Sequence, residues 1–178
     1  MTRLWGALGT LPEGTDWLIA GLLLVAFAAI ALPLGFGTGF FKLERVKAWD
    51  VVLPTAAIAL VYPSLFEELL FRALLIPRPA LANAADLWLW GTVSLVIFVA
   101  AHPLNALILM PERRDTFYSP IFLTLAALLG LVCTLSYVQS ASIWPPVVLH
   151  WLMVVVWLLG LGGYGRLAAQ ETVQNQVK

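Results

Sequence analysis

Five long apolar segments constrain the fold more than any other feature of the sequence. They cover residues 17–41, 51–77, 87–110, 121–138 and 143–163. A helix needs about 20 mostly apolar residues to cross about 30 Å of hydrocarbon, and each segment is close to that length. Backbone polar groups must be paired inside a bilayer, and none of the segments alternates as the strands of a barrel do. We therefore predict an all-α, polytopic membrane bundle of about five transmembrane helices.

The composition excludes several classes of protein. Of the 178 residues, 61% are hydrophobic and only 11% are charged, with 10 basic and 10 acidic side chains. A soluble domain carries about a quarter charged residues, so a soluble fold is excluded. Nucleic-acid binding depends on clustered Lys and Arg, and the sequence has no such cluster. The single cysteine, Cys133, lies in an apolar run, so we expect a small buried side chain and no disulfide framework.

The chain is predicted to form one integral-membrane domain over residues 1–178. Within it, residues 1–47 carry the first span and a basic loop, residues 50–160 the core, and residues 164–178 a short polar tail. The first apolar run is longer than the hydrophobic region of a cleaved signal peptide, which has roughly 7–15 residues. We therefore expect it to be retained as a membrane span.

Loop charges predict an orientation in the membrane. Basic residues follow the first, third and fifth spans, which all end on the same side; they are Lys42, Arg45, Lys47, Arg113, Arg114, Arg166 and Lys178. Because basic loops are retained in the cytoplasm, we expect the N-terminus outside and the C-terminus inside, in a bacterial-type plasma membrane. Pro63 and Pro103 fall within apolar runs, where each is expected to kink or interrupt its helix.

Three charged residues lie inside the second span, at Glu67, Glu68 and Arg72. Each ionised residue at a span centre costs about 2.5–3.5 kcal/mol, so this group requires an explanation. Glu68 and Arg72 are four residues apart with the acid first, which favours an ion pair on one helix face. Glu67 has no basic residue three or four positions away and is the candidate general base. The alternative is that all three form an ion-paired knot that fixes helix packing.

Both histidines of the chain, His102 and His150, are also inside spans. Either one alone is as consistent with a structural hydrogen bond as with a functional role. At 1.5 Å per helical residue, Glu67, His102 and His150 lie roughly 16, 24 and 12 Å from the outer ends of their spans. We therefore expect them to converge in the outer half of the bilayer and to be reached by water from that side.

Such a set of side chains suits hydrolysis by activated water. A carboxylate helped by an imidazole takes a proton from water, while a second imidazole donates to the developing oxyanion. Ser64 and Ser94 are poorer candidates, because neither sits in a nucleophile elbow. A zinc site built from Glu and His is an alternative, but the sequence has no His-Glu-x-x-His helix and the histidines are far apart. We expect no cofactor, with zinc as the alternative.

The motifs Glu67-Glu68-x-x-x-Arg72, Phe98-x-x-x-His102 and His150 resemble the three ordered motifs of the CPBP family, also called Abi. This family contains type II CAAX prenyl endopeptidases and bacteriocin-processing relatives, and the resemblance covers residues 50–160. It implies an intramembrane glutamic-type endopeptidase in which Glu67 activates water with His102. His150 would help to hold the oxyanion. Glu68 and Arg72 would support the site, and the partner would be a hydrophobic or lipid-modified peptide beside membrane lipid.

The sequence departs from the family pattern at one position. The third motif usually continues to an asparagine or aspartate four residues after its histidine, and here that residue is Val154. Asn105 is the nearest amide in sequence that could replace it. A prenyl-processing family member is also expected to open its cavity to the cytosol, opposite to the side that the residue count indicates. The alternative function is a non-catalytic membrane interaction or immunity-type protein with the same fold. A proton-coupled transporter is disfavoured because the sequence shows no inverted repeat.

Overall fold

The computed structural model describes residues 3–176, without the side chains of residue 171 and residues 173–176. The α-helices of this part of the chain are α1 (Arg3–Gly9), α2 (Gly14–Gly37), α3 (Trp49–Ala59), α4 (Phe66–Glu68), α5 (Ala84–Ile108), α6 (Arg114–Phe117), α7 (Pro120–Ser140), α8 (Trp144–Gly160) and α9 (Gly163–Gln176). Two π-helical segments flank α4, π1 (Leu60–Leu65) and π2 (Leu69–Leu74). Short 3₁₀ turns cover Pro79–Leu81 and Pro111–Arg113.

The prediction of an all-α, multi-pass membrane protein is confirmed. Four helical segments are long and apolar enough to cross a bilayer, namely Gly14–Gly37, Trp49–Leu81, Ala84–Ile108 and Pro120–Ser140, and Trp144–Gly160 is a shorter apolar helix. Large apolar side chains on these helices are exposed, among them Leu22, Val96 and Ile58. Such surfaces suit contact with lipid, because exposed apolar area of this extent is disfavoured in water. The named segments reproduce the predicted spans to within a few residues.

Helix α1 closes one end of the bundle, which we call the α1 face. The backbone N–H of Ile143 donates to Ala7 O at 3.1 Å, and the indole Nε1 of Trp144 donates to Leu8 O at 3.1 Å. Arg3 Nη1 donates to Leu74 O at 3.0 Å. The end of π2 and the start of α8 therefore lie on this face.

The opposite end, which we call the α9 face, carries the loop between α2 and α3 and the last helix. Lys42 N donates to Leu161 O at 3.2 Å, and Val46 N donates to Leu159 O at 2.9 Å. Arg166 of α9 donates to Phe40 O at 3.1 Å and places its guanidinium 4.5 Å from the centre of the Phe40 ring. These contacts hold α9 across the end of the bundle. The predicted basic loops lie on this face.

The second span is not a regular helix. Tyr62 has φ −136° and ψ 120°, outside the helical region, and the peptide bond to Pro63 is cis. Pro63 lacks the N–H that a regular helix would need at this point, so the predicted interruption is confirmed there. Pro103 lies inside α5, which continues from Ala84 to Ile108. The chain is therefore not interrupted at Pro103.

Candidate active site

The two glutamates lie on α4, a single α-helical turn between π1 and π2. A π-helix places an additional residue in each turn, and such segments inside α-helices often accompany functional sites. Both glutamates are buried, Glu68 completely and Glu67 with 8% of its surface exposed. The wide turns on either side of α4 thus present two carboxylates to the interior of the bundle.

Glu68 lies in a fully buried network with Arg72 and His150. Arg72 Nη1 is 3.1 Å from Glu68 Oε1, which confirms that the predicted ion pair forms. The same oxygen accepts a hydrogen bond from His150 Nδ1 at 2.8 Å. Arg72 also donates from Nη2 to Gly130 O at 2.8 Å and lies over the Phe98 ring, 4.6 Å from its centre. Each buried charge is thus paired with an opposite charge, as burial in a membrane requires, while Glu68 Oε2 and Arg72 Nε have no hydrogen-bond partner among the described residues.

Gly130 allows α7 to approach the site closely. A Cβ atom at this position would lie 2.7 Å from Leu95 Cδ1 and 2.9 Å from Phe98 Cδ1, both on α5. A methyl group here would force the Leu95 or Phe98 side chain to shift, whereas glycine brings its carbonyl within reach of Arg72 without such a shift. Small residues at helix contacts are typical of membrane bundles for this reason.

Glu67 faces a cavity, unlike Glu68. Its side chain is 11% exposed, and its Oε2 is 3.9 Å from His150 Nε2. This distance is too long for a direct hydrogen bond, and Oε2 has no other hydrogen-bond partner among the described residues. His150 therefore lies between the two carboxylates, with Nδ1 engaged by Glu68 and Nε2 directed at Glu67.

His102 lies on α5 at the wall of the same cavity. Its Nδ1 is 2.9 Å from Phe98 O. A carbonyl only accepts hydrogen bonds, so Nδ1 carries the proton and the lone pair of Nε2 is available. The Phe98 ring packs edge-on against His102 at 4.9 Å and against His150 at 6.0 Å between centroids. One aromatic ring thus positions both imidazoles.

The cavity has a volume of about 570 Å³ and contains Glu67, His102 and His150 in its lining. It extends along α8 to Arg113 near the end of α5 and to Leu167 of α9. The remaining lining is mostly apolar. Besides Phe98, which belongs to the second motif, the lining contains aromatic side chains that the sequence did not single out, namely Phe27, Phe40, Phe41, Tyr62, Phe117, Phe122, Trp157 and Tyr164.

The residue counts predicted access to the site from the end of the bundle where α1 lies, and in the described part of the chain the cavity does not reach that end. Among the described residues, the cavity lining contains none from α1, and Ile76, Tyr137 and Ile143 below α1 are fully buried. The cavity instead reaches the α9 face, where the basic loops lie. Counting residues along each span estimates depth, but it does not show which end of the bundle is filled by side chains.

The remaining candidates are placed as follows. Ser94 Oγ donates to Phe71 O, and Ser64 is buried with its hydroxyl unpaired among the described residues. Asn105 and Val154 both line the cavity. Among the described residues, Glu68, Cys133 and His150 are all buried and bring potential metal-ligand atoms within 4.8 Å of one another. The expected burial of Cys133 is confirmed, but its position beside the glutamate network was not predicted.

Comparison with known proteins identifies the family. The family model described as type II CAAX prenyl endopeptidase Rce1-like matches residues 48–156, which is more than half of the chain and includes all five predicted site residues. No curated protein and no solved structure matches the chain. The resemblance read from the three motifs is confirmed. The chain therefore belongs to the Rce1-like family of type II CAAX prenyl endopeptidases, a family of CAAX-protease-like intramembrane peptidases.

Proposed function

We propose that this protein is a glutamic-type intramembrane endopeptidase, which hydrolyses a peptide bond with water activated by a carboxylate and a histidine. The observation that carries the proposal is the different environment of the two glutamates. Glu68 is fully buried against Arg72 and His150, whereas Glu67 faces the cavity beside His150. Only Glu67 is thus placed to contact both a water molecule and a substrate.

In the proposed reaction, Glu67 takes a proton from a water molecule that His102 Nε2 helps to orient. The resulting hydroxide attacks the carbonyl carbon, and the carbonyl oxygen becomes an oxyanion. His150 donates to that oxyanion from Nε2, which requires protons on both of its ring nitrogens. Glu67 balances the charge of this imidazolium before the attack, and the oxyanion balances it once Glu67 has taken the proton. When the C–N bond breaks, Glu67 returns its proton to the amine leaving group.

Glu68 and Arg72 are positioning residues in this proposal. The Glu68 carboxylate fixes the His150 ring through Nδ1, and Arg72 fixes Glu68. The carbonyl of Gly130 and the Phe98 ring in turn hold the guanidinium. Catalysis requires the imidazole to lie within a few tenths of an ångström of its productive position. The contacts of Glu68 and Arg72 favour this because they restrict rotation of the His150 ring.

The proposed substrate is a hydrophobic or lipid-modified peptide that enters from the α9 face. A mostly apolar cavity of about 570 Å³ suits such a ligand. The basic loops on this face support a cytoplasmic location for it by the positive-inside rule, with the N-terminus outside, in a bacterial-type plasma membrane. Bacteriocin-type peptides are a second substrate class that the same cavity would accept.

We propose that the reaction needs no metal. Glu68 Oε1 already receives both the Arg72 guanidinium and His150 Nδ1, so two of the three clustered ligand groups are engaged with each other. The zinc alternative predicts stoichiometric metal in purified protein and loss of cleavage with a chelator. Full cleavage in the presence of the chelator is the result that we expect.

The test compares peptide termini in membranes from cells that produce the wild-type chain, Glu67→Gln or the control Glu112→Gln at equal levels. Glu112 lies in the loop after α5 and does not line the cavity. We expect new termini with wild type and with Glu112→Gln, and none with Glu67→Gln. The same termini with folded Glu67→Gln would refute the glutamic mechanism.

A non-catalytic interaction protein is the second candidate function, and Val154 is the observation that favours it. This position lines the cavity with an apolar side chain where the motif leads us to expect an amide. Under this alternative, wild-type membranes would contain no termini that Glu67→Gln membranes lack. The terminus comparison thus distinguishes the two candidates.

A further inference from the structure

The polar groups of the cavity are distributed unevenly over its walls. On α5, His102 and Asn105 both line the cavity, one helical turn apart. On α8, the residue one turn past His150 is Val154, which also lines the cavity. Both helices run from the α1 face toward the α9 face. One turn beyond the histidines, toward the α9 face, α5 therefore lines the cavity with an amide and α8 lines it with an apolar side chain.

Asn105 is held in place by its backbone, while its side chain is available. Its carbonyl accepts from Leu109 N at 2.8 Å and from Met110 N at 2.9 Å, which fixes the last turn of α5. The next residue, Ala106, is fully buried. In the part of the chain that the structure describes, the Asn105 carboxamide has no hydrogen-bond partner. A half-buried amide without a partner in an apolar cavity is suited to a polar ligand.

The backbone of a substrate peptide needs hydrogen-bond partners inside an apolar cavity. Each peptide unit that leaves water for an apolar cavity carries one donor and one acceptor, and leaving either unpaired is unfavourable. A carboxamide side chain can satisfy both groups, because its oxygen accepts from a peptide N–H and its NH₂ donates to a peptide carbonyl. Asn105 is therefore complementary to one peptide unit of an extended substrate.

The spacing indicates which peptide unit this is. Asn105 lies about 4.5 Å beyond His102 along the helix axis, at 1.5 Å per residue. An extended peptide advances about 3.3 Å per residue. A substrate whose scissile bond lies beside His102 thus places a peptide unit one or two residues away at the level of Asn105.

We propose that Asn105 is the substrate-binding residue that hydrogen-bonds the peptide unit next to the scissile bond. The α5 wall of the cavity thereby takes the substrate backbone, and the aromatic walls take its apolar groups. This inference rests on the proposed function for the identity of the scissile bond. It is tested by binding, which does not depend on turnover.

The experiment measures dissociation constants in detergent, with Glu67→Gln as background so that no cleavage occurs. The probe is a fluorescent peptide that ends in a farnesylated cysteine, two aliphatic residues and a free carboxyl-terminal residue. In a series of probes, each peptide bond is replaced in turn by an ester, which removes one N–H donor. Each probe is bound to protein with Asn105, with Asn105→Leu and with the control Thr55→Val. Thr55 is a polar residue that lines the cavity on α3.

We expect one ester position at which binding weakens about three- to tenfold with Asn105 and with Thr55→Val, the effect of losing one hydrogen bond. With Asn105→Leu, that ester and its parent peptide should bind equally. If Asn105→Leu does not fold, Asn105→Ala gives the same comparison. The proposal is overturned if the probe does not bind, if no ester weakens binding, or if the weakening persists without the amide. Binding with the expected pattern but no cleavage by wild type would refute the proposed function alone.

Discussion

At the scale of single residues, two adjacent glutamates have different surroundings on one turn of helix. Glu68 makes its contacts inside the bundle, with a guanidinium and an imidazole, whereas Glu67 faces the cavity. The sequence separates them in part, because only Glu68 has a basic residue four positions later. The packing of α8 adds the rest, since His150 places Nδ1 at 2.8 Å from Glu68 but Nε2 at 3.9 Å from Glu67.

This difference predicts unequal effects on stability. Glu68→Gln leaves Arg72 without its carboxylate in a fully buried position, so we expect a loss of roughly 3–5 kcal/mol in unfolding free energy. Glu67→Gln should cost less, because Glu67 has no ion pair within hydrogen-bonding distance and is in part exposed. Denaturation of the purified variants in detergent measures both. The reverse ranking would show that the buried pair is not what holds this region together.

At the scale of elements, the contact between α5 and α7 is set by the absence of a side chain at Gly130. Gly130→Ala would place a methyl group against Leu95 and Phe98, and we expect a destabilisation of about 1–3 kcal/mol. The matched control is Gly21→Ala in α2, where a Cβ meets nothing within 4 Å. The control should be neutral or stabilising by up to about 1 kcal/mol, because alanine favours helix. Equal melting temperatures for the two variants would contradict the close approach.

The sequence predicted the membrane-spanning helices more accurately than the contacts between them. Spans are recognised from length and hydropathy alone, and Glu67, Glu68 and Arg72 were found because charge is unfavourable in a membrane. The π-helical turns around α4 have no comparable signal in the sequence, apart from Pro63. The aromatic residues that line the cavity, such as Phe122 and Trp157, were not found because an aromatic side chain looks the same whether it packs or binds.

At the scale of the whole molecule, the bundle has one closed end and one end reached by the cavity. Helix α1 covers the closed end through hydrogen bonds to the start of α8. At the other end, Tyr164 and Leu167 of α9 line the cavity. If the cavity holds the substrate as proposed, the substrate enters from the α9 side of the membrane.

This asymmetry predicts the result of thiol labelling in sealed vesicles. In a Cys133→Ala background, Ala168→Cys reports on the cavity end and Leu81→Cys on the α1 end. A membrane-impermeant maleimide should label the two positions from opposite sides. A farnesylated peptide should slow the labelling of Ala168→Cys at least severalfold and leave that of Leu81→Cys unchanged. Protection of Leu81→Cys instead would place the entrance at the α1 end.

The hydrogen bonds that hold α1 over the closed end also determine the order in which the fold is completed. The carbonyls of Ala7, Leu8 and Thr10 accept their hydrogen bonds from residues 142–144, more than 130 positions later in the chain. Contacts so distant in sequence form only after the intervening spans are in place. During synthesis, these contacts of α1 therefore form only after the apolar helix α8 has been made. The same helix thus brings His150 to the glutamates and supplies the hydrogen-bond donors that hold α1 over the closed end.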